Sequence, residues 1–243
     1  MRKPWLTVGA ALTASTFWVA GAPAPTTADP ATPCTGGYMQ VVAHEDDDLI
    51  FMSPDLDRSI SAGATTVTVY VTAGEFGPGN HADRARTRQR GIQNAYAAMA
   101  GVEDGDDDTQ NEWDRAAIAV SGGRLVERYS LRAKPCVALV FMNLPDAGLS
   151  SLDENPANVV FTVVPTGGVV SASYGYQRAD VVSVLRILLG QHQSTVLRYQ
   201  DDAPDPRYAS DHPDHIAAAG MARDAATGFS GPLFTVQYRG YGI

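Results

Sequence analysis

Basic residues are scarce in this chain of 243 residues, which carries 18 Lys and Arg against 27 Asp and Glu. The formal net charge is −9 and the sequence pI is about 4.9. An acidic surface repels phosphate backbones, which argues against nucleic acid as a partner. Sugars and neutral glycoconjugates stay open as ligands. With 44% hydrophobic and 19% charged residues, the composition is that of a globular protein rather than a disordered one.

A long uncharged hydrophobic run occurs only near the start of the chain, over residues 5–20. Two basic residues precede it and three small residues end it, which is the pattern of a secretory signal peptide. An uncleaved membrane anchor is the alternative, but the run is short for a span. We expect a secreted protein with no stable membrane insertion after cleavage. The predicted divisions are a signal peptide at 1–22, a disordered lead-in at 23–33 and a single domain at 34–243.

Cysteine is almost absent, with Cys34 and Cys136 as the two examples. An even pair in an exported protein indicates a disulfide, so we predict a Cys34–Cys136 bridge. Cys34 comes shortly before the strand-like segment that begins at Tyr38, and Cys136 directly precedes the one that begins at Val137, so the two lie at one sheet edge if those strands are parallel neighbours. A catalytic thiol is the rival interpretation, but neither cysteine has the flanking residues for it.

Hydrophobic segments alternate with helical patterns along the rest of the chain, which predicts an α/β domain with a mainly parallel sheet. The segment Ser121-Gly122-Gly123 between two short strands predicts an inserted β-hairpin. Residues 146–174 read as a long loop region that shapes a substrate cleft, and the acidic run 103–108 as solvated surface or, alternatively, a calcium site. Strands are predicted at 38–43, 65–72, 116–120, 124–129, 137–142, 195–199 and 234–238, and helices at 54–61, 82–99, 177–189 and 213–227.

Charged and ligand-type residues concentrate in two short segments. The first reads Ala-His-Glu-Asp-Asp-Asp over 43–48, where the first strand ends, and strand ends are where sites form in open α/β sheets. One imidazole and four carboxylates at a buried strand tip repel and must be desolvated, a cost that a divalent cation offsets. A turn can aim His44 and Asp47 at one point. A solvated acidic turn is the alternative for this segment taken alone.

The second segment reads Asp-His-Pro-Asp-His over 211–215, and three of the five histidines of the chain fall in the two segments. Pro213 suits the first turn of a helix, and Asp211 is the predicted N-cap. His212 and His215 are three residues apart, so they project to the same side. Together the two segments favour a metal site over two unrelated surface clusters.

Two imidazole nitrogens and one carboxylate oxygen leave a fourth position on zinc open for water, which is the pattern of a catalytic site. Zinc lowers the pKa of that water toward about 7, and a carboxylate must take its proton. Asp46 is the predicted general base. His212 is the predicted donor to a developing oxyanion, and Asp214 is predicted to orient His212 or the surroundings of the metal.

At these residues the sequence resembles the LmbE-like (PIG-L) family of zinc-dependent de-N-acetylases. The first segment matches the family signature A-H-P-D-D-E, and the second matches H-P-D-H followed by a glycine, here Gly220. Residues 71–75, Val-Thr-Ala-Gly-Glu, resemble T-x-G-E, and residues 84–102 resemble an Arg-bearing helix that ends in Gly-Val. The motifs follow the family order from residue 38 onwards.

The resemblance implies a Rossmann-like α/β fold and a mononuclear zinc site on His44, Asp47 and His215. It also implies that Asp46 is the base and His212 its electrostatic or acid partner. The expected reaction is removal of an N-acetyl group from an N-acetylglucosamine-type glycoconjugate. Two alternatives are hydrolysis of a longer N-acyl group and a non-catalytic protein that binds sugar with the help of a metal. Nothing in the sequence fixes the oligomeric state.

This chain departs from the family signatures at three places. Glu45 replaces the proline and Asp48 replaces the glutamate of the first signature, which predicts a shifted loop and altered substrate choice. The Arg/Glu pair of the family helix is not cleanly reproduced around Arg86, Arg88 and Arg90. A narrower resemblance is to exported actinobacterial members, including deacetylases of teicoplanin-type glycopeptide pseudoaglycones.

Overall fold

The computed structural model describes residues 37–103, 112–203, 205, 207 and 211–241. The predicted signal peptide, the lead-in and Cys34 lie outside these residues, so the cleavage site and the disulfide stay predictions. The helices are α1 (Asp47–Phe51), α2 (Asp55–Ser61), α3 (His81–Met99), α4 (Gly148–Glu154), α5 (Arg178–His192) and α6 (Pro213–Thr227). The strands are β1 (Tyr38–Val42), β2 (Thr66–Thr72), β3 (Trp113–Ala119), β4 (Leu125–Leu131), β5 (Lys134–Leu144), β6 (Val160–Phe161), β7 (Gly175–Tyr176), β8 (Val196–Gln200) and β9 (Phe234–Tyr238).

Seven strands form one sheet in the order β3-β4-β5-β2-β1-β8-β9. The five strands from β5 to β9 in this order run parallel, while β3 and β4 form an antiparallel hairpin that extends β5. The predicted α/β class, the mainly parallel sheet and the hairpin are confirmed. β6 and β7 pair separately as a short two-stranded ribbon.

The central strands are buried on both faces, as parallel strands between helical layers are. In β1, Met39 and Val41 belong to the hydrophobic core that contains α5 and α6, while Val42 belongs to the second core, which contains α2 and α3. This alternation follows from the period of two along a strand. Because helices cover both faces, polar ligand residues can reach solvent at the ends of the strands.

Two expectations about the chain path need correction. The strands expected to follow the two cysteines, β1 and β5, are parallel but not neighbours, because β2 pairs with both, and Cys136 lies within β5 rather than before it. The segment 146–174 is not a continuous loop, since it contains α4 and β6. Helix α1 was not predicted, because its five residues are too few to show a helical period. No helix among the described residues is long and apolar enough to cross a membrane.

Candidate metal centre

The two ligand-type segments meet at the carboxyl edge of the sheet. His44 comes two residues after β1, Glu75 three residues after β2, and Asp146 two residues after β5. Because these strands are parallel, their carboxyl ends lie at the same edge, where sites form in open α/β sheets. Helix α6 begins at this edge as well and brings His212 and His215 to it.

A tight turn after β1 shapes the first segment. The backbone N–H of His44 donates to Asp47 Oδ2 at 2.8 Å, so the carboxylate folds back onto the strand end. Asp46 is the N-cap residue of α1, and Asp47 and Asp48 lie in its first turn. Carboxylates at this position are favoured because the free N–H groups of a helix start carry partial positive charge. Asp47 and Asp48 are buried, while the side chain of Asp46 is half exposed.

The second segment forms the start of α6. Pro213 occupies the first turn as predicted, but the N-cap is His212 rather than Asp211. His212 has an extended backbone, and its Nδ1 accepts a hydrogen bond from the Asp214 N–H at 3.2 Å. The Asp211 carboxylate is engaged elsewhere, because its Oδ1 accepts from the His212 N–H at 2.7 Å and from His215 Nδ1 at 2.8 Å.

The histidine rings of the two segments converge. The ring centroids of His44 and His212 are 4.8 Å apart, and those of His44 and His215 are 5.2 Å apart. Asp47 lies between two of them, with Oδ1 3.0 Å from His215 Nε2 and Oδ2 3.4 Å from His44 Nδ1. A tetrahedral ion with bonds of about 2.1 Å needs ligand atoms about 3.4 Å apart. The two contacts that Asp47 makes with the imidazoles lie close to this spacing.

Two groups of ligand-type atoms lie within 4.8 Å of one another among the described residues. One consists of His44, His212 and His215, and the other of His44, Asp146 and Asp214. Neither includes Asp47, although Asp47 contacts both His44 and His215. His44 is common to both groups and also contacts Asp47, which places the centre of the cluster at the end of β1.

A carboxylate outside the predicted ligand set lies behind each of two imidazoles. Asp146 Oδ1 is 3.3 Å from His44 Nε2, and Asp211 Oδ1 is 2.8 Å from His215 Nδ1. In both rings the other nitrogen faces Asp47. Metal-bound histidines commonly donate their second nitrogen to a carboxylate in this way, which orients the ring and raises its basicity.

The electrostatics of the cluster favour positive charge at its centre. Burial lowers the pKa of His44, but the hydrogen bonds to Asp146 and Asp47 outweigh it and raise that pKa to about 10. Burial likewise opposes the charged form of His215, and contacts with Asp47 and Asp211 raise its pKa nonetheless. Burial disfavours the Asp47 carboxylate, yet the two imidazoles hold its pKa well below the usual range. A cation bound among these groups supplies the charge that the carboxylates require.

Asp146 is a residue of the site that the sequence did not reveal. The segment that carries it is anchored by two buried carboxylates, since Asp214 accepts from the N–H groups of Ala147 at 2.7 Å and Ser150 at 2.8 Å. Glu75 accepts from the Asp146 N–H at 3.1 and 3.2 Å. The Asp214 side chain therefore holds the segment that carries Asp146. It is the backbone N–H of Asp214 that donates to the His212 ring. The available signal was the position of Asp146 four residues after the predicted strand 137–142.

Glu45, which replaces the family proline, is buried and paired with Arg88. Arg88 Nε lies 3.3 Å from Glu45 Oε2, and its Nη2 donates to Asp46 Oδ1 at 2.8 Å. Burial raises the pKa of Glu45 to about 8, and Arg88 opposes that shift. Gly74 permits this packing, because a Cβ there would lie 2.2 Å from Glu45 Oε2. Arg88 is one of the three arginines that the sequence left open, and it contacts two residues of the first segment.

Asp48, the other departure from the signature, does not face the ligand cluster. Its Oδ2 accepts hydrogen bonds from the hydroxyls of Tyr70, at 2.8 Å, and Tyr96. Burial raises the pKa of Asp48 to about 6, and the two hydroxyls oppose that shift. Asp48 therefore ties the first segment to β2 and α3.

Comparison with known families agrees with this geometry. The family model described as PIG-L, GlcNAc-PI de-N-acetylase, matches residues 39–226, which include both ligand-type segments. The chain belongs to this de-N-acetylase family. Members of the PIG-L family are hydrolytic, metal-dependent de-N-acetylases, and the α/β sheet described above is consistent with the Rossmann-like fold of the family. No curated protein matches the chain significantly.

Two solved structures resemble this PIG-L family chain at low identity. The conserved protein TT1542 from Thermus thermophilus is 17% identical, with a TM-score of 0.47, and the match covers 85% of this chain and 67% of that one. GalB, the 4-carboxy-2-hydroxymuconate hydratase from Pseudomonas putida, is 12% identical, with a TM-score of 0.44. That match covers 81% of this chain and 60% of GalB.

Proposed function

We propose that this chain is a zinc-dependent hydrolase that removes the N-acetyl group from a sugar of the N-acetylglucosamine type. The products are acetate and a free amino sugar. The observation that carries the proposal is the position of Asp47 between the imidazoles of His44 and His215, each backed by a further carboxylate. Membership of a family of hydrolytic de-N-acetylases supports the reaction class.

We assign zinc to His44, Asp47 and His215. Nitrogen and carboxylate oxygen are ligands that zinc accepts, and three protein ligands leave a position for water or substrate. When bound, zinc supplies polarisation of the amide carbonyl and a lowered pKa for the attacking water. His212 is left out of the ligand set, because its Nδ1 accepts the Asp214 N–H and the neutral ring then carries its proton on Nε2.

Asp46 is assigned to take the proton of the attacking water. Its side chain is half exposed at the mouth of the cluster, and Arg88 fixes the position of Oδ1. The second oxygen is therefore the one we assign to accept the proton. The same proton is needed by the amine that departs when the C–N bond breaks, so Asp46 acts first as a base and then as an acid. Water and the amide together thus yield the acid and the amine with no other reactant.

His212 is assigned to stabilise the oxyanion of the tetrahedral intermediate. Because its Nδ1 accepts a hydrogen bond, the neutral ring carries its proton on Nε2 and can donate from there. A donor fixed in place before the reaction stabilises developing charge without reorganisation. Asp214 serves this arrangement indirectly, since it holds the segment that bears Asp146 and its backbone N–H orients His212.

The proposal is tested by mass spectrometry of a panel of conjugates before and after exposure to the zinc-loaded protein. The panel contains simple N-acetylglucosaminides, longer N-acyl analogues and a glycopeptide pseudoaglycone, the substrate of the deacetylases to which the sequence bears its narrower resemblance. We expect loss of an acetyl mass and release of acetate. Zinc-loaded protein that deacetylates no member of the panel would contradict the proposal, and preference for longer chains would replace the acetyl group by another acyl group.

The role of Asp46 is tested by Asp46→Asn. We expect kcat to fall about 10²- to 10⁴-fold while the zinc content is unchanged, because the substitution removes the proton acceptor but no ligand. Asp114→Asn is the matched control, since Asp114 is exposed on the β3–β4 hairpin and pairs only with Arg132 in the described hydrogen bonds. An Asp46→Asn protein that keeps the parental kcat removes Asp46 from the mechanism.

A further inference from the structure

The segment that follows β9 returns to the metal centre. Gly240 is buried against Asp211, and the Tyr241 N–H donates to Asp211 Oδ1 at 3.4 Å. A Cβ on Gly240 would lie 1.9 Å from Asp211 Oδ2 and 2.5 Å from Cγ, so the close approach requires glycine. Asp211 is the same residue that backs His215. The packing of this segment therefore fixes the position of Tyr241 relative to a proposed zinc ligand.

The Tyr241 ring lies directly against the ligand cluster. Its centroid is 5.3 Å from that of His215, with an interplanar angle of 29°, so the two rings are stacked. The ring of Phe51 meets Tyr241 nearly at a right angle, with centroids 5.2 Å apart. Phe51 and His215 are both buried, yet Tyr241 is 56% exposed. One side of the ring thus covers the centre, while the remaining aromatic surface faces solvent.

Tyr241 is held in place through its backbone and through one face of its ring. Packing does not explain why the rest of the ring is exposed. Sites for small ligands combine apolar and aromatic walls with a few convergent polar groups, and here the polar groups are those of the metal centre. A pyranose ring presents C–H groups on its faces and hydroxyls at its rim. The C–H groups can pack against an aromatic face. The hydroxyls at the rim of the sugar then point toward the polar groups beside that face.

We propose that Tyr241 is a binding residue whose exposed face receives the sugar ring of the substrate. The inference rests on the proposed function and deepens it, since it names the side chain that distinguishes a sugar from a simple amide. The contact is made by the ring and not by the phenol oxygen. Tyr241 therefore sets affinity and specificity, while Asp46 and His212 act on the reacting atoms.

Binding is measured without turnover, by NMR titration of the zinc-loaded Asp46→Asn protein with methyl N-acetylglucosaminide and, separately, with acetamide. Tyr241→Leu keeps an apolar cover over His215 but lacks a flat face. We expect it to bind the glucosaminide about threefold to tenfold more weakly and acetamide within about twofold of the parent. Tyr241→Phe is expected to restore the lost sugar affinity. Phe234→Ala is the control, because Phe234 is 76% exposed at the amino end of β9, away from the carboxyl edge.

Two results overturn the inference. If zinc-loaded Tyr241→Leu binds the sugar as tightly as the parent, the Tyr241 ring does not contribute to sugar binding. If Tyr241→Phe is as weak as Tyr241→Leu, the hydroxyl is responsible instead. Tyr241→Met, which also keeps an apolar cover over His215 without a flat aromatic face, gives a second measurement should the leucine variant not retain zinc, and we expect a similar loss of sugar affinity. If sugar binding depends on Tyr241 but the protein deacetylates nothing, only the proposed function is refuted. If Tyr241→Leu turns over substrate with an unchanged KM, only the contact between Tyr241 and the sugar ring is refuted.

Discussion

Buried histidines occupy two contrasting environments in this molecule. At the carboxyl edge of the sheet, His44 and His215 lie among carboxylates, which outweigh burial and raise the pKa of both imidazoles. His192 ends α5 just before β8 begins, where burial first and the charge of Arg128 second lower its pKa to about 4. The residue type and the degree of burial are similar, so the difference comes from the neighbouring charges.

This contrast shows that the carboxylates which raise imidazole pKa values are concentrated at one sheet edge. Buried carboxylates are costly without a counter-charge, and at the carboxyl edge the buried Asp47 and Asp211 and the partly buried Asp146 surround two imidazoles. His192 has no carboxylate among the groups that shift its pKa, and its Nε2 is buried without a hydrogen-bond partner in the described part of the chain. We interpret His192 as a neutral packing residue and the other two as zinc ligands.

The largest expected effect is a difference in zinc content between variants of His215 and of His192, the two histidine environments compared above. His215→Ala is expected to lose zinc and to lower turnover by at least about 10³-fold, because polarisation of the amide by the metal contributes several kcal/mol. His192→Leu, at a similarly buried position, is expected to keep stoichiometric zinc. Atomic absorption on both purified variants checks this. Full zinc occupancy in His215→Ala would remove His215 from the ligand set.

A second prediction concerns the stability of the folded chain in acid. The pKa of His192 is lowered from 6.5 to about 4, so between these pH values the unfolded chain binds a proton that the folded chain does not. Stability therefore falls as the pH drops from 6.5 to 4, by about 3 kcal/mol from this group. Urea unfolding of chelator-treated protein across this range checks the slope. His192→Leu should unfold with a shallower dependence on pH, and an unchanged slope would contradict the assignment.

Much of the fold follows from local sequence patterns. The bounds of α6 and β9 agree with prediction, because Pro213 marks the helix start and a hydrophobic segment marks the strand. Helices α1 and α4 escaped prediction, since five and seven residues carry too little of the 3.6-residue period. The N-cap of α6 was assigned to Asp211 because a carboxylate is the better N-cap by type. In the folded chain the Asp211 carboxylate instead contacts His215. That contact depends on α6, the helix that follows Asp211 and carries His215.

The residues of the candidate site likewise divide into those that local sequence patterns predict and those that they do not. Both ligand-type segments were predicted, because each concentrates its histidines and carboxylates within a few residues. Asp146, Arg88 and Tyr241 reach the site only through long-range packing. Asp146 depends on two buried carboxylates, one that follows β2 and one from α6, and Tyr241 depends on a close approach that only Gly240 permits. Spacing along the chain carries no signal for contacts of this kind.

The smallest predicted effect tests the carboxylate behind His215. In Asp211 three donors share Oδ1, namely the N–H groups of His212 and Tyr241 and the Nδ1–H of His215. Its Oδ2 is buried and without a partner among the described residues. Asp211→Asn can keep all three donors on its amide oxygen and so removes charge with little change in shape.

We therefore expect Asp211→Asn to weaken zinc binding about 10- to 100-fold, since the carboxylate raises the basicity of the coordinating imidazole. Competition with a zinc chelator measures the affinity, and circular dichroism verifies the fold. Asp153→Asn is the matched control, because Asp153 pairs with Arg178 on the surface of α4. Parental zinc affinity in Asp211→Asn would mean that the charge behind His215 contributes nothing to the metal centre. Asp47 would then be the one carboxylate by which His215 differs from His192 in its capacity to hold zinc.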